Sequence, residues 1–186
     1  AARMVVLTLA LRDAARVGAV FVGADFDAVI HLAERAGVRP SLGRPQLYYD
    51  TNVTGAVHLL EAARAVGLKR FIFASSSSVY GLSKKVPFSE DLHLTQTVSP
   101  YAATKIAGEF LCSTYSHLYR MRVIALRFFT VYGPRQRPAL ALHQFTRRIW
   151  QGQPHDQFSD GTNRRADTYT GDCIHDVLAY LRDNGL

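Results

Sequence analysis

The stretch Arg70-Phe-Ile-Phe-Ala-Ser75 is apolar on successive residues, hence on both faces, and runs on through Ser76-Ser-Ser78 to Val79-Tyr-Gly81. A strand that is apolar on both faces suits a parallel sheet covered on each side, where neither face meets water. Met4–Leu11, Ala28–Ala33 and Val123–Phe129 read as further strands, most of them equally two-faced. Between them Val53, Ala56, Val57, Leu60 and Ala63 recur at helical spacing, and Gly67 stops that helix. Ser99-Pro100 opens the next one, with Ser99 as cap and Pro100 in the first turn. Ala103, Ala107, Phe110, Leu111, Thr114 and Leu118 are its expected core face. Strands alternating with helices give right-handed crossovers, so the expected fold is α/β, a doubly wound parallel sheet.

Beyond Gly133-Pro134 the texture changes. Leu140 to Trp150 looks helical, residues 152 to 165 are loop-rich, and Cys173 to Leu181 forms a last helix. Residues 1–133 are therefore the expected sheet domain, and 134–186 the start of a smaller second domain. Val-Tyr-Gly occurs twice, at Val79–Gly81 and Val131–Gly133, each time after a strand. The surroundings differ, which marks repeated strand-end chemistry and not an internal repeat.

Composition excludes several classes. The chain has 186 residues, 48% of them apolar, with 20% charged and a net charge of +7; that is ample for one core and unlike a disordered or fibrous chain. The basic residues are scattered, with no run of five or six, so nucleic acid is not an expected partner. No apolar run reaches the ~20 residues of a membrane span. Met4–Leu11 stops at Arg12-Asp13 without a small-residue cleavage site and reads as a strand, not a signal core. Two cysteines, Cys112 and Cys173, make no disulfide framework and fit a reducing, cytoplasmic setting. The seven histidines never fall at i, i+3 or i, i+4, so no metal site is expected. His31, inside an apolar strand, is expected to be a satisfied core residue.

The strongest chemical signal is Tyr101-Ala-Ala-Thr-Lys105 on a helix, preceded by Ser76 at the end of a strand. Residues at i and i+4 share a helical face. A cation beside a phenol favours the phenolate and lowers its pKa toward working pH, as a general base acting on a sugar hydroxyl requires. A serine at the carboxyl end of a parallel strand sits where α/β sheets bind ligands. An isolated Tyr-x-x-x-Lys pair arises by chance on helix surfaces. The serine-rich strand end and Ser99-Pro100 set this one apart.

Phe73-Ala-Ser-Ser-Ser-Ser-Val-Tyr-Gly81, Ser99-Pro-Tyr-Ala-Ala-Thr-Lys105 and Leu126-Arg-Phe-Phe-Thr-Val-Tyr-Gly-Pro134 together resemble the extended short-chain dehydrogenase/reductase family. Within it they look most like the NAD-dependent nucleotide-sugar epimerases that act at C4 of UDP-glucuronate. The resemblance runs from about residue 27 to the end and implies a Rossmann-like fold, NAD as cofactor and a UDP-sugar as substrate. It leaves room for a homodimer. It makes Tyr101 the base, Lys105 its tuner and the ligand of the nicotinamide ribose, and Ser76 the substrate-orienting hydroxyl. Ser75, Ser77 and Ser78 are alternates for that hydroxyl; strand-end capping explains them equally and is the favoured reading for Ser75. The resemblance further implies that Leu32, Ala33, Asn52 and Phe129 lie against the cofactor. It places Ser77, Thr130 and Arg135 near substrate, and Arg165 on the UDP pyrophosphate, which suits a guanidinium fork.

The departures are as informative. The Gly-x-x-Gly-x-x-Gly turn whose following helix holds the NAD pyrophosphate is absent, because Gly18 and Gly23 bracket Ala-Val-Phe-Val. Ala10 stands where the family usually has an Asp near the adenine. Arg165-Ala-Asp-Thr-Tyr-Thr-Gly-Asp172 lacks the first Asp of the family's version. The expectation is a middle piece of such an epimerase, N-terminally truncated and lacking the C-terminal end. Two rivals stand beside it. Sugar-nucleotide 4,6-dehydratases place Asp-Glu immediately after the strand-end hydroxyl, where this sequence has Ser77-Ser78. A non-catalytic nucleotide-sugar-binding or inert fragment is favoured by the missing turn and by Ala10 and Ala166.

Overall fold

The structure, a computed structural model, describes residues 4–154, 160, 162 and 166–183. The chain forms two compact units, Ala1–Arg127 and Phe128–Leu186, parting a few residues ahead of Gly133-Pro134.

In the first unit, α1 (Ala14–Phe21) precedes β1 (Val29–His31), followed by two short helices, α2 (Val38–Gly43) and α3 (Pro45–Tyr48). A π-helical turn, Tyr49–Thr54, leads into α4 (Gly55–Ala65), then β2 (Arg70–Ser76), a 3₁₀ turn at Ser77–Tyr80, α5 (Pro100–Tyr119) and β3 (Arg122–Phe128). The strand order is β1-β2-β3. β1 and β2 run parallel, with Val29 opposite Phe71 and His31 opposite Phe73. The fold is α/β and Rossmann-like. β2 is the central strand and is buried from Phe71 to Ser76, as its two apolar faces require.

The core joins Val17 and Phe21 of α1, Ala56, Leu60 and Ala63 of α4, Phe71 and Phe73 of β2, and Cys112 and Tyr115 of α5. α4 ends as expected: Gly67 takes φ +73°, and the Leu68 amide reaches back to the Ala63 carbonyl at 2.9 Å. That left-handed residue satisfies carbonyls the helix end would otherwise leave open.

Two expectations are corrected. Met4–Leu11 is not a strand. Met4 to Leu7 are exposed, and only Leu9 and Leu11 pack on the core. Its carbonyls serve other groups: Thr8 O accepts from Arg16 Nη2 at 3.1 Å, and Leu11 O bonds His58 Nδ1 at 2.8 Å. Two of its carbonyls are thus satisfied without a neighbouring strand.

The buried face of α5 is only in part the expected one: Leu111 packs on the core and Ala103 and Ala107 are half-buried. Tyr101, Thr104, Lys105, Gly108, Cys112 and Tyr115 face inward, whereas Phe110, Thr114 and Leu118 face solvent. α5 carries two apolar stripes, and Gly108 decides between them. A Cβ at Gly108 would lie 2.2 Å from Phe73 Cζ, so helix and strand meet where the side chain is missing.

In the second unit, β4 (Thr130–Tyr132) pairs parallel with β5 (Asp167–Tyr169), Thr130 opposite Asp167. Two helices, α6 (Ala141–Trp150) and α7 (Thr170–Asp183), match the expected helical stretches. Among the described residues no helix is long and apolar enough to cross a membrane.

Candidate active site

Ser99 caps α5, its hydroxyl accepting from the Ala102 amide at 3.1 Å, with Pro100 in the first turn. Tyr101 therefore sits in the opening turn and Lys105 one turn later, both on the buried face. Lys105 is 2% exposed. Its ammonium donates to the Ala74 carbonyl of β2 and lies 5.0 Å from the Phe73 ring centre and 5.8 Å from that of Tyr101. A surface lysine would give none of these contacts.

A third residue joins the pair. The Tyr101 hydroxyl donates to Glu34 Oε1 at 3.2 Å, and Lys105 is ion-paired with Glu34 Oε2. Burial pushes the Lys105 ammonium down to about 7, with Cys112 and Glu109 pulling it up. The Glu34 carboxylate in contact also favours the charged form.

Glu34 is held in place by its neighbour. Asn52 Oδ1 accepts from the Arg35 amide at 2.8 Å, and Asn52 Nδ2 donates to the Arg35 carbonyl at 3.0 Å. The same Nδ2 donates to Thr104 Oγ1 at 3.1 Å, and Thr104 donates to the Tyr101 carbonyl at 2.7 Å. Asn52 thus joins the loop after β1 to the first turn of α5. It projects from the π-helical turn, a distortion often found at functional sites.

The serines divide by role. Ser75, 3% exposed, donates to Glu109, whose carboxylate also takes Arg127 in a fork at 3.0 and 2.9 Å. Ser75 is thereby part of a packed ion-pair network. Ser76 ends β2 two residues after Ala74; its Oγ accepts from the Ser78 amide and donates to Ser78 Oγ, both at 3.2 Å. Ser77 opens the 3₁₀ turn and is half-buried.

His31 lies at the carboxyl end of β1 between Phe71 and Phe73, ring centres 6.1 and 5.7 Å away. It is a core residue, as expected, but not a satisfied one: its Nδ1 has no hydrogen-bond partner. Burial, helped by the Lys105 charge, drives its pKa down to about 4, so the ring is neutral at pH 7. Leu32 and Ala33 follow it directly and are exposed.

In the second unit, Phe129 is half-buried and directly precedes Thr130, which starts β4. Arg135 is exposed with φ +66°. Arg165 lies outside the described residues.

Sequence reasoning named Tyr101, Lys105 and Asn52, which the structure links, and missed Glu34 and Glu109. Both left a trace. Glu34 is an acid immediately beyond the carboxyl end of a parallel strand, and Glu109 lies one turn past Lys105 on the same face of α5.

Residues 2–185 match the NAD dependent epimerase/dehydratase family. A UDP-glucuronate 4-epimerase of Thermodesulfobacterium geofontis is 43% identical over 166 residues, 89% of this chain and 51% of that protein. UDP-glucuronate 4-epimerase 1 of Arabidopsis thaliana is 46% identical over 180 residues, 94% of this chain and 42% of that protein. The crystal structure of a Bacillus cereus UDP-glucuronic acid 4-epimerase, in complex with UDP-glucuronic acid and NAD, superposes with a TM-score of 0.81 at 41% identity. It covers 89% of this chain and 52% of that one. The chain thus spans about half the length of the relatives it matches.

Proposed function

Because the chain belongs to the NAD dependent epimerase/dehydratase family, we propose that its site serves NAD-dependent inversion at C4 of UDP-glucuronate. The observation that carries this reading is the buried Tyr101–Lys105 pair at the carboxyl edge of the sheet, beside the strand end that bears Ser76. Its relatives named UDP-glucuronate 4-epimerases, 43% and 46% identical, support the choice of sugar.

In this reading Tyr101, as phenolate, takes the proton of the 4-hydroxyl. Ser76 holds the same substrate oxygen. Lys105 places positive charge beside the phenol and offers ammonium protons to a ribose. NAD, when bound beside Tyr101 and Lys105, would supply the hydride chemistry at C4; the protein's share is orientation and proton transfer. Asn52 acts through Arg35 and Thr104, because both protons of its amide are already engaged. Phe129, Thr130, Arg135 and Arg165 keep their proposed ligand roles.

The described residues fit the nicotinamide end of that cofactor. Lys105 and Tyr101 supply polar groups for a ribose, beside the exposed strand end Leu32-Ala33. Ala10 and Ala166, standing where the family usually has acids, favour a second reading, a nucleotide-sugar-binding module without turnover. Incubation with UDP-glucuronate and NAD, followed by chromatography for the C4 epimer, tests the first reading. Epimer formation supports it, and retention of UDP-glucuronate without conversion supports the second.

A further inference from the structure

We propose that Glu34 is a positioning residue that keeps the Tyr101 phenol protonated and aligned with Lys105 until its carboxylate is displaced. The inference rests on Tyr101 being the base. Its ground is the three-way contact: the hydroxyl donates to one carboxylate oxygen of Glu34, and the other pairs with Lys105.

Two effects act on the phenol in the same direction. Accepting the hydroxyl's hydrogen bond stabilises the neutral form, and a negative charge at 3.2 Å opposes a second one. A third effect removes the opposing influence. The Lys105 ammonium, which would otherwise favour the phenolate, is neutralised by the carboxylate it pairs with. The Tyr101 oxygen therefore faces a pair of no net charge, with the negative member in direct contact.

Other groups around the pair do not take over this role. Tyr48 of α3 meets the Tyr101 ring edge to face at 6.3 Å. His31 of β1 is neutral at pH 7 and acts on Lys105 only through space. Glu109 and Cys112, on α5 itself, face Lys105, and Glu109 is bound by Arg127 and Ser75. Ser76, at the end of β2, carries no charge. Glu34 does not drift, because Asn52 binds both backbone groups of Arg35.

The test is a titration of the 186-residue chain carrying carbon-13 at the tyrosine ring Cζ, followed by NMR, with Tyr101→Phe identifying the Tyr101 resonance. Glu34→Gln should lower the Tyr101 midpoint by about a unit or more, whereas Glu34→Asp, which keeps the charge, should stay nearer the parent. In the unsubstituted chain the Tyr101 resonance should also move in the carboxylate range, as Glu34 gains its proton. A Glu34→Gln midpoint equal to the parent's overturns the proposal. So does a Tyr101 resonance that stays flat through the carboxylate range, and this second measurement decides the matter if the variant does not fold. Failure of the underlying reading shows differently: Tyr101→Phe would keep epimerising while the titration behaved as expected.

Discussion

The ammonium of Lys105 donates to the carbonyl oxygen of Ala74, two residues before Ser76. One bond thus fixes the helix that carries Tyr101 to the strand end that carries the serine. It draws Lys105 into the core, where a charge is tolerated only with partners on hand; Ala74 and Glu34 are those partners. The lysine is therefore structural as well as electrostatic, and its substitutions should show both properties.

Tyr101→Phe should abolish epimerisation while leaving the fold intact. The ring keeps its contact with Tyr48, and only the ionisable oxygen is lost. General-base catalysis contributes ~10²–10⁴-fold, so turnover should fall by that order. A coupled 4-epimerase assay alongside a thermal melt checks it. An unchanged rate would remove Tyr101 from the mechanism.

Lys105→Ala should act differently. Activity should fall near neutral pH and recover in part as pH rises, since a phenol without its cation ionises later. NAD at saturation separates this from weaker cofactor binding. Stability should fall too, by about 3 kcal/mol or more, because Glu34 keeps a buried charge without its partner. Lys105→Ala with the parent's pH–rate profile would mean that the lysine positions ligands and does not tune the base.

How far the sequence was legible follows from what each residue does alone. β2 could be read because both its faces are apolar, and α5 because Ser99-Pro100 marks its start. The Tyr101–Lys105 pair could be read because its spacing is one helical turn. Glu34 could not be read with equal ease: it acts through two residues far along the chain, and only the folded sheet edge unites them. Met4–Leu11 misled because strand propensity does not specify a neighbour, and its carbonyls found Arg16 and His58 instead. The face of α5 misled because a glycine, invisible to an apolar count, selects the side of closest approach. In each of these cases long-range geometry overruled a local pattern.

His31 should make stability depend on pH. Its folded pKa of about 4 lies below its ordinary 6.5, so between those values the unfolded chain binds more protons. Stability from this group is then complete above pH 6.5 and is lost as pH falls toward 4. The full difference is roughly 3 kcal/mol. Denaturant melts across that range should show a slope that His31→Asn reduces. Parallel curves for the two proteins would mean that His31 is not buried neutral.

Asn52→Ala should destabilise the protein by about 1–3 kcal/mol, since it removes two part-buried hydrogen bonds to the Arg35 backbone and a buried one to Thr104. Activity should fall with it, although Asn52 reaches its effect through Arg35 and Thr104. Amide exchange at Arg35 provides the direct check and should accelerate in the variant. Full protection there would remove Asn52 as the anchor of the Glu34 loop.

The closest approach in the core yields the last prediction. A Cβ at Gly108 would stand 2.2 Å from Phe73 Cζ, with two more atoms of that ring within 3 Å. Gly108→Ala therefore cannot be absorbed by a small shift; either the ring turns away or α5 lifts from β2. Overpacking of this kind costs about 1–3 kcal/mol, against the stabilisation alanine normally brings to a helix interior. The damage should also reach the site, because the same Phe73 ring lies under the Lys105 ammonium at 5.0 Å. Phe73→Leu alone should be destabilising as well, since it trims a buried aromatic side chain. Combined with Gly108→Ala it removes the ring atoms that collide. The double variant should then be more stable than the sum of the two single losses, a coupling that contacting residues show and distant ones do not. Denaturant midpoints of all four proteins measure it. Simple additivity would mean that Gly108 and Phe73 are not in contact, and that another residue sets the face α5 presents to the sheet.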